Sequence, residues 1–230
     1  MWLHAESKYT KISFECKEKW KDMNRNQLRS NGQSNGHIAQ VERQPKQVDY
    51  PRLLALGREL LLAIGEDPER EGLRETPRRW ADAWREFIEY DPGTLDTCFE
   101  SISTDQMVVV SGVRVWSVCQ HHLLPFWADV SIGYIATDRI LGLSKFARIA
   151  QQYAHQLQLQ EQLCYQIADA IERITRTPDV AVLAQGQHLC MVSRGIKTPA
   201  IMTSSIMRGI FREKHEARME FLRLIEGNHA

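Results

Sequence analysis

Two short groups of cysteine and histidine constrain this chain more than any other feature of its sequence. Cys119, His121 and His122 stand in one short stretch. His188 and Cys190 form a second group much further along the chain. Thiols and imidazoles at short spacings are typical ligands of transition metals. If both groups serve one ion, the fold has to bring two distant segments together.

The number of ligands separates a catalytic zinc site from a structural one, since three protein ligands leave a position open and four close it. Cys119 and His122 form a C-x-x-H pair that a tight turn can aim at one ion, and Cys190 would be the third ligand. His121 and His188 would then be free to move protons near neutral pH. An open site would lower the pKa of bound water towards ~7. Two alternatives stay open: a closed site with His188 as fourth ligand, and no metal.

Length and charge limit the partners of the chain. Its 230 residues, 43% of them apolar, predict one globular domain with an appendage. Lysine plus arginine equal aspartate plus glutamate at 29 each, which favours neither nucleic acid nor membrane as a partner. No apolar run approaches the roughly 20 residues that span a bilayer, and the first residues are too charged for a secretory signal. The sequence therefore predicts a cytoplasmic protein.

The cysteines agree with that compartment. They are Cys16, Cys98, Cys119, Cys164 and Cys190. An odd number at wide spacings favours a reducing compartment, with metal-binding or buried free thiols, over a disulfide framework.

The first part of the chain predicts a tail and two helices. Residues 1–46 are polar and lack apolar periodicity, which predicts a disordered tail. A helix capped by Asp49 should end at Gly65, with leucines at helical spacing. A second helix, with Thr76 as its cap, carries an aromatic face and should end at the Asp-Pro-Gly of residues 91–93.

The rest of the chain predicts paired strands separated by helices. Strands are expected at 107–118 and 126–136, two helices between 144 and 174, strands at 180–191 and 201–211, and a helix at 213–225. The order ββααββα argues for an α+β fold with an antiparallel sheet rather than a doubly wound parallel sheet.

Several polar side chains have the chemistry to hold a nucleotide. The basic ones are Arg79, Lys145, Arg148 and Arg194. Together they would make a polyphosphate site, although any one of them is more often a solvated surface charge. Gln160 and Glu161 can pair with the donor edge of a purine, while the simpler reading of Glu161 is an acid at a helix N-terminus.

The sequence resembles the GTP cyclohydrolase I family over roughly residues 50–226. The matching segments, in the order of the family, are GLRETPRR (72–79), CQHHLLPF (119–126), GLSKFARI (142–149), QLQE (158–161), HLCM (188–191) with RG (194–195), and EFL (220–222). Several segments in one order are far more specific than any single motif.

This resemblance implies the tunnelling fold, whose ββααββ subunits assemble around a barrel. For this family it also implies a homodecamer with active sites between subunits. The domain organisation is then a tail over 1–46, an N-terminal helical region over 47–105 and a catalytic tunnelling-fold domain over 106–230.

The resemblance also implies the chemistry. Zn2+ would be held by Cys119, His122 and Cys190. Activated water would attack C8 of the guanine of GTP, formate would leave, and rearrangement of the ribose would give 7,8-dihydroneopterin triphosphate. Such a pterin leads to tetrahydrofolate and one-carbon metabolism, or to biopterins or deazapurines.

Positions in the motifs assign roles. His121 resembles the proton donor of ring opening, His188 a second proton shuttle, and Ser144 a residue of the later rearrangement. Gln160 and Glu161 would read the guanine edge. The residues that would hold the triphosphate are Lys145, Arg148, Arg194 and Arg79.

Departures from the family keep two other functions open. Gln120 replaces a usual glutamate, Asp82 stands where a lysine is common, and residues 197–205 differ from the usual glycine- and serine-rich turn. An acid at Asp82 would repel triphosphate unless it points away. The chain could therefore be a non-catalytic or altered-substrate nucleotide-binding member of this fold. A zinc-stapled interaction module with a closed site is the other alternative.

Overall fold

The structure is a computed structural model that describes residues 46–102 and 105–226. The tail expected over residues 1–46 lies outside this part of the chain, apart from Lys46. Within the described residues, no helix is both long enough and apolar enough to cross a membrane.

Two helices come first, α1 at Tyr50–Ala63 and α2 at Thr76–Ile88. The side chain of Asp49 accepts a hydrogen bond from the backbone N–H of Arg52, which satisfies one of the free donors at the start of α1. Gly57 allows the two helices to approach closely, because a Cβ there would lie 3.1 Å from Cα of Pro77. Asp49 is therefore the cap of α1 that the sequence predicts.

The start of α2 differs from the prediction. Thr76 is the first residue of the helix, and Glu75 takes the cap position without a side-chain cap bond. The carboxylate of Glu75 instead accepts from Nε of Arg78 at 2.7 Å. The expectation that Thr76 caps α2 is wrong because Pro77 lies at the second helical position, one place later than expected.

A five-stranded sheet forms the centre of the fold. Its long strands are β2 (Met107–Cys119), β3 (Pro125–Ile135), β6 (Val180–His188) and β7 (Met202–Met207). They pair in the order β2-β3-β6-β7, and each of these pairs is antiparallel. The two-residue strand β5 (Leu157–Gln158) adds a parallel edge beside β2. A separate small sheet pairs β1 (Cys98–Glu100) with β4 (Arg139–Leu141).

Two helices between β3 and β6 cover one face of the sheet. They are α3 (Leu143–Ala154) and α4 (Gln160–Thr175). Alternate residues of β3, such as Val130 and Ile132, are fully buried against Ile149 and Ile167 from these helices. This burial of apolar area is the main stabilising contribution to the domain.

The chain ends in two helices, α6 (Ile210–Glu213) and α7 (His215–Glu226), which build a second apolar cluster. Phe211 and Phe221 are fully buried and meet edge to face, with ring centroids 5.8 Å apart. Gly133 of β3 leaves room for this packing, because a Cβ there would lie 2.7 Å from Cδ2 of Phe221.

The α+β class is confirmed, with helices and a largely antiparallel sheet. Several boundaries differ from the prediction. β6 ends at His188, and a helical turn α5 (Leu189–Val192) follows it, so Cys190 lies just beyond the strand. The strand expected at 201–211 ends at Met207, and its last two positions belong to α6. The helix expected at 213–225 begins at His215 as α7, since Lys214 before it is extended.

The buried ring of Phe221 predicts a large stability effect. Phe221→Ala removes a fully buried ring and should lower the free energy of unfolding by about 3–5 kcal/mol. Phe99→Ala is the matched control, because Phe99 is 62% exposed and its loss should change stability by less than about 0.5 kcal/mol. Chemical denaturation measures both, and equal losses would contradict this packing.

Candidate metal centre and nucleotide site

The strand order brings the two cysteine and histidine groups to one edge of the sheet. Cys119 ends β2, and β6 ends at His188, with β3 pairing between the two strands. A tight turn joins β2 to β3. Its backbone bonds run from Cys119 N–H to Leu124 O at 2.8 Å and from Leu123 N–H to Cys119 O at 2.9 Å. The positive φ of Leu123, 54°, closes this turn.

The two thiols and one imidazole lie close together. The Sγ atoms of Cys119 and Cys190 are 3.9 Å apart, and both residues are free cysteines. A ring nitrogen of His188 lies within 4.8 Å of both sulfurs, so these three residues form a group that could hold a metal ion. His122 is also adjacent, with Nδ1 3.7 Å from Sγ of Cys119. Two thiols and an imidazole are a donor set that suits zinc and similar soft metals.

Burial disfavours the charged forms of Cys190 and His188. Burial raises the pKa of the Cys190 thiol, and the neighbouring thiol of Cys119 adds to the rise, while the charge of Arg194 opposes it. Burial lowers the pKa of the His188 imidazole, although the charge of Glu161 acts in the opposite direction. A metal ion that binds here therefore has to displace a thiol proton.

His121 and Gln120 lie on the outside of the turn. Both residues are exposed, and the ring of His121 meets that of His122 edge to face at 6.1 Å. The backbone N–H of Gln120 donates to the carbonyl of Gln158 at 3.2 Å. His121 is therefore adjacent to His122 in the turn and open to a ligand that approaches from solvent.

His188 is held on two sides. Its ring stacks on Phe126 with centroids 4.3 Å apart and an angle of 8° between planes. The register of β3 and β6 pairs these two residues directly. The Nε2 atom of His188 lies 3.2 Å from Oε1 of Gln160. Sequence reasoning missed Phe126, although it stands inside the matching segment and at the start of a predicted strand.

Gln160 and Glu161 have different environments although they are adjacent. Gln160 is fully buried, and its Nε2 donates to the carbonyls of Ala184 and Met202, both at 3.0 Å, and to Oγ of Ser204 at 3.2 Å. Glu161 is exposed, in the first turn of α4. Of this pair, Glu161 has the side chain that solvent or a ligand can reach.

Ser144, Lys145 and Arg148 lie on the first half of α3, away from the thiols. This helix starts beside Tyr134, whose hydroxyl accepts from Leu141 N–H at 2.9 Å, at the far end of β3. It ends beside Ser117, whose hydroxyl donates to Ala154 O at 2.7 Å. The 12 residues of α3 make it about 18 Å long. A single chain therefore keeps Ser144 and Lys145 apart from Cys119.

The two cations of α3 are held by one loop. Nζ of Lys145 donates to the carbonyl of Thr94 at 2.7 Å, and the guanidinium of Arg148 donates to the carbonyl of Pro92. Gly93 between these acceptors has φ 67°, and a Cβ there would lie 2.8 Å from the Arg148 guanidinium. Both side chains are thereby directed towards the segment that follows α2.

The other two predicted phosphate ligands are exposed. Arg79 lies on α2, and Arg194 follows the helical turn that carries Cys190. The positive charge of Arg194, four residues beyond Cys190, acts to lower the pKa of that thiol.

Asp82 is engaged in a local network. Its carboxylate accepts from the hydroxyl of Tyr50 at 2.7 Å and from Arg78 and Arg85, both at 2.9 Å. The hydrogen bond from Tyr50, with the charges of the two arginines, holds the pKa of Asp82 below its usual range. Asp82 thus joins α2 to the start of α1 and is neutralised by its neighbours.

Fold and site together define a class: α+β proteins that gather thiols and imidazoles at a sheet edge, in a group able to hold a transition metal. The family model of GTP cyclohydrolase I matches residues 55–226. The chain belongs to this family and is an enzyme of the GTP cyclohydrolase I type.

Curated relatives agree over most of the chain. "GTP cyclohydrolase 1" of Hyperthermus butylicus is 43% identical over 179 residues, which cover 78% of this chain and 92% of the relative. The protein of the same name from Deinococcus radiodurans is 45% identical over 177 residues, covering 75% and 82%. A solved structure of archaeosine synthase QueF-Like covers 45% of this chain and 95% of its own, with 18% identity and a TM-score of 0.37, a likeness too weak to support an argument.

The Asp82 network predicts that a lysine at this position lowers the thermal stability of the protein. Asp82→Lys would place a third cation between Arg78 and Arg85 and remove the acceptor of Tyr50, so the melting temperature should fall. Asp82→Asn keeps an acceptor for Tyr50, so it should lower the melting temperature less than Asp82→Lys does. Glu86→Lys makes the same charge change at an exposed position of α2 and is the control. Equal melting temperatures for the two lysine variants would refute this role of Asp82.

Proposed function

We propose that this protein is a zinc-dependent GTP cyclohydrolase I, which hydrolyses GTP to 7,8-dihydroneopterin triphosphate and formate. The observation that supports this most is the meeting of two free thiols, 3.9 Å apart, with neighbouring imidazoles in a chain of this family. A metal ion would balance their charge once the thiols are deprotonated.

Zinc fits the donor set that the fold presents. Cys119, His122 and Cys190 would hold it, with His122 placed by its Nδ1 contact to the Cys119 sulfur. Zinc in a three-ligand site supplies a nucleophile from water near neutral pH. The proximity of His188 to both sulfurs favours, as the second candidate, a closed site in which His188 is also a ligand.

The two remaining histidines have different surroundings that suit different proton transfers. His121 is exposed beside the turn and would donate a proton to the guanine imidazole nitrogen as the ring opens. His188 is half-buried, and burial lowers its pKa, so it would accept or return a proton in a later step. Ser144 would act in the rearrangement of the ribose.

Glu161 would bind the donor edge of guanine, since its carboxylate is exposed near His188. The basic groups that would bind the triphosphate are Lys145, Arg148, Arg194 and Arg79. Binding of the unreacting triphosphate would orient the purine over the metal group. The amide of Gln160 can reach guanine only if its present hydrogen bonds are broken.

The distance between the two halves of the site supports a homo-oligomer with active sites between subunits. Ser144 and Lys145 stand at the far end of α3 from Cys119, so a neighbouring subunit would have to supply them. A tunnelling-fold decamer, with residues 106–230 as the catalytic domain, would meet this requirement. GTP is the substrate partner, and the free cysteines agree with a cytoplasmic enzyme.

Metal-ligand variants test the activity. Cys119→Ser and Cys190→Ser should each lose zinc and lower formate release from GTP by roughly 100-fold or more. Cys98→Ser, the same change at a free cysteine away from the group, should keep both. Metal analysis and a formate assay measure these effects. If the zinc-loaded protein binds GTP but releases no formate, a non-catalytic member of the family is favoured.

The histidines distinguish the open from the closed site. In the open site, His122→Ala loses zinc, whereas His188→Ala keeps zinc and slows turnover. In the closed site, His188→Ala also loses zinc and lowers the melting temperature. The zinc content of purified His188→Ala therefore decides between them.

Mixed oligomers test whether neighbouring subunits share a site. Lys145→Ala and Cys190→Ser should each be inactive alone. Co-expressed in equal amounts, they should recover activity in roughly a quarter of the sites, because each intact site needs one subunit of each kind. Purified mixed oligomers without activity would show that Lys145 serves the site of its own chain.

A further inference from the structure

The amide of Gln160 has only one possible orientation. Two of the acceptors around its Nε2 are the backbone carbonyls of Ala184 and Met202, and a carbonyl oxygen cannot donate. A flipped amide would press Oε1 against both of them in a fully buried position. Oε1 therefore faces His188.

The orientation of Gln160 determines which nitrogen of His188 carries hydrogen. Oε1 of an amide only accepts, and it lies 3.2 Å from Nε2 of His188, so Nε2 has to donate. In a neutral imidazole the other nitrogen, Nδ1, then keeps the lone pair. The stack on Phe126 fixes the plane of the same ring.

We infer that Gln160 is a positioning residue that holds His188 as the Nε2–H tautomer, which leaves the lone pair on Nδ1. This role differs from reading the guanine edge, and its effect on turnover rests on the proposed function. Gln160 is itself supported by β7, through Met202 O and Ser204 Oγ.

The tautomer can be observed directly in the full-length, zinc-loaded protein. Magic-angle-spinning NMR of protein labelled with 15N-histidine, with His188 assigned by His188→Asn, should show hydrogen on Nε2. Hydrogen on Nδ1 of the unmodified protein would overturn the inference. This measurement needs neither turnover nor a stable Gln160 variant.

Gln160→Met keeps the length of the side chain and removes the acceptor. Without that acceptor, His188 should no longer be held as the Nε2–H tautomer. The value of kcat for formate release should fall by roughly 10- to 100-fold, while zinc is retained and KM changes little. Ser204→Ala is the control, because it removes one acceptor of Gln160 and leaves the contact with His188, so the tautomer should be unchanged.

Two results for Gln160→Met would overturn the role. One is an unchanged Nε2–H tautomer; the other is a rise in KM without a fall in kcat, which would mean that Gln160 contacts substrate. If the unmodified protein releases no formate, the proposed function fails, and the NMR result alone decides the role of Gln160.

Discussion

The pairing of β3 with β6 is the interaction on which the rest of the site depends. It places Phe126 opposite His188, and it connects the strand pair that carries Cys119 to the strand that leads to Cys190. Side chains alternate between the faces of a strand, so a slip by one residue would turn His188 away from Phe126 and from the sulfurs. The buried faces of Val130 and Ile132 oppose such a slip, because it would expose them. The apolar core thus fixes the register, and the register fixes the chemistry.

The polar residues of the proposed site form two sets at opposite ends of α3. One set lies at the end of the sheet where α3 ends and α4 begins, and it includes the thiols, His188 and Glu161. The other lies where α3 begins, and it includes Ser144, Lys145 and Arg148. One rigid helix separates the sets, so no change of side-chain rotamers can join them within a chain. The proposed assembly of subunits follows from this separation and from the need of a triphosphate for several cations.

Local patterns in the sequence were sufficient for the elements and for the family, and insufficient for contacts between distant segments. The cap at Asp49, the alternation in β3 and the C-x-x-H spacing are local, and the α+β class follows from them. The prediction of Thr76 as the α2 cap was wrong because proline is tolerated at more than one position in the first turn of a helix, so Pro77 did not define where α2 begins. The partners of Gln160, and Tyr50 as a partner of Asp82, come from other elements, so propensity and spacing could not reveal them. The metal ligands and substrate residues remain predictions, with the Cys119 and Cys190 sulfurs adjacent as the prediction requires.

The loop at Pro92–Thr94 gives Lys145 and Arg148 a resting state. Neutral carbonyl oxygens of the loop accept hydrogen bonds from both cations. Long basic side chains otherwise lose rotamer entropy when they bind, at about 0.5–1.5 kcal/mol for each one immobilised. Part of that loss has already occurred in folding, and a phosphate has only to replace a weaker acceptor. If these cations bind the triphosphate as proposed, the loop would prepare them for it.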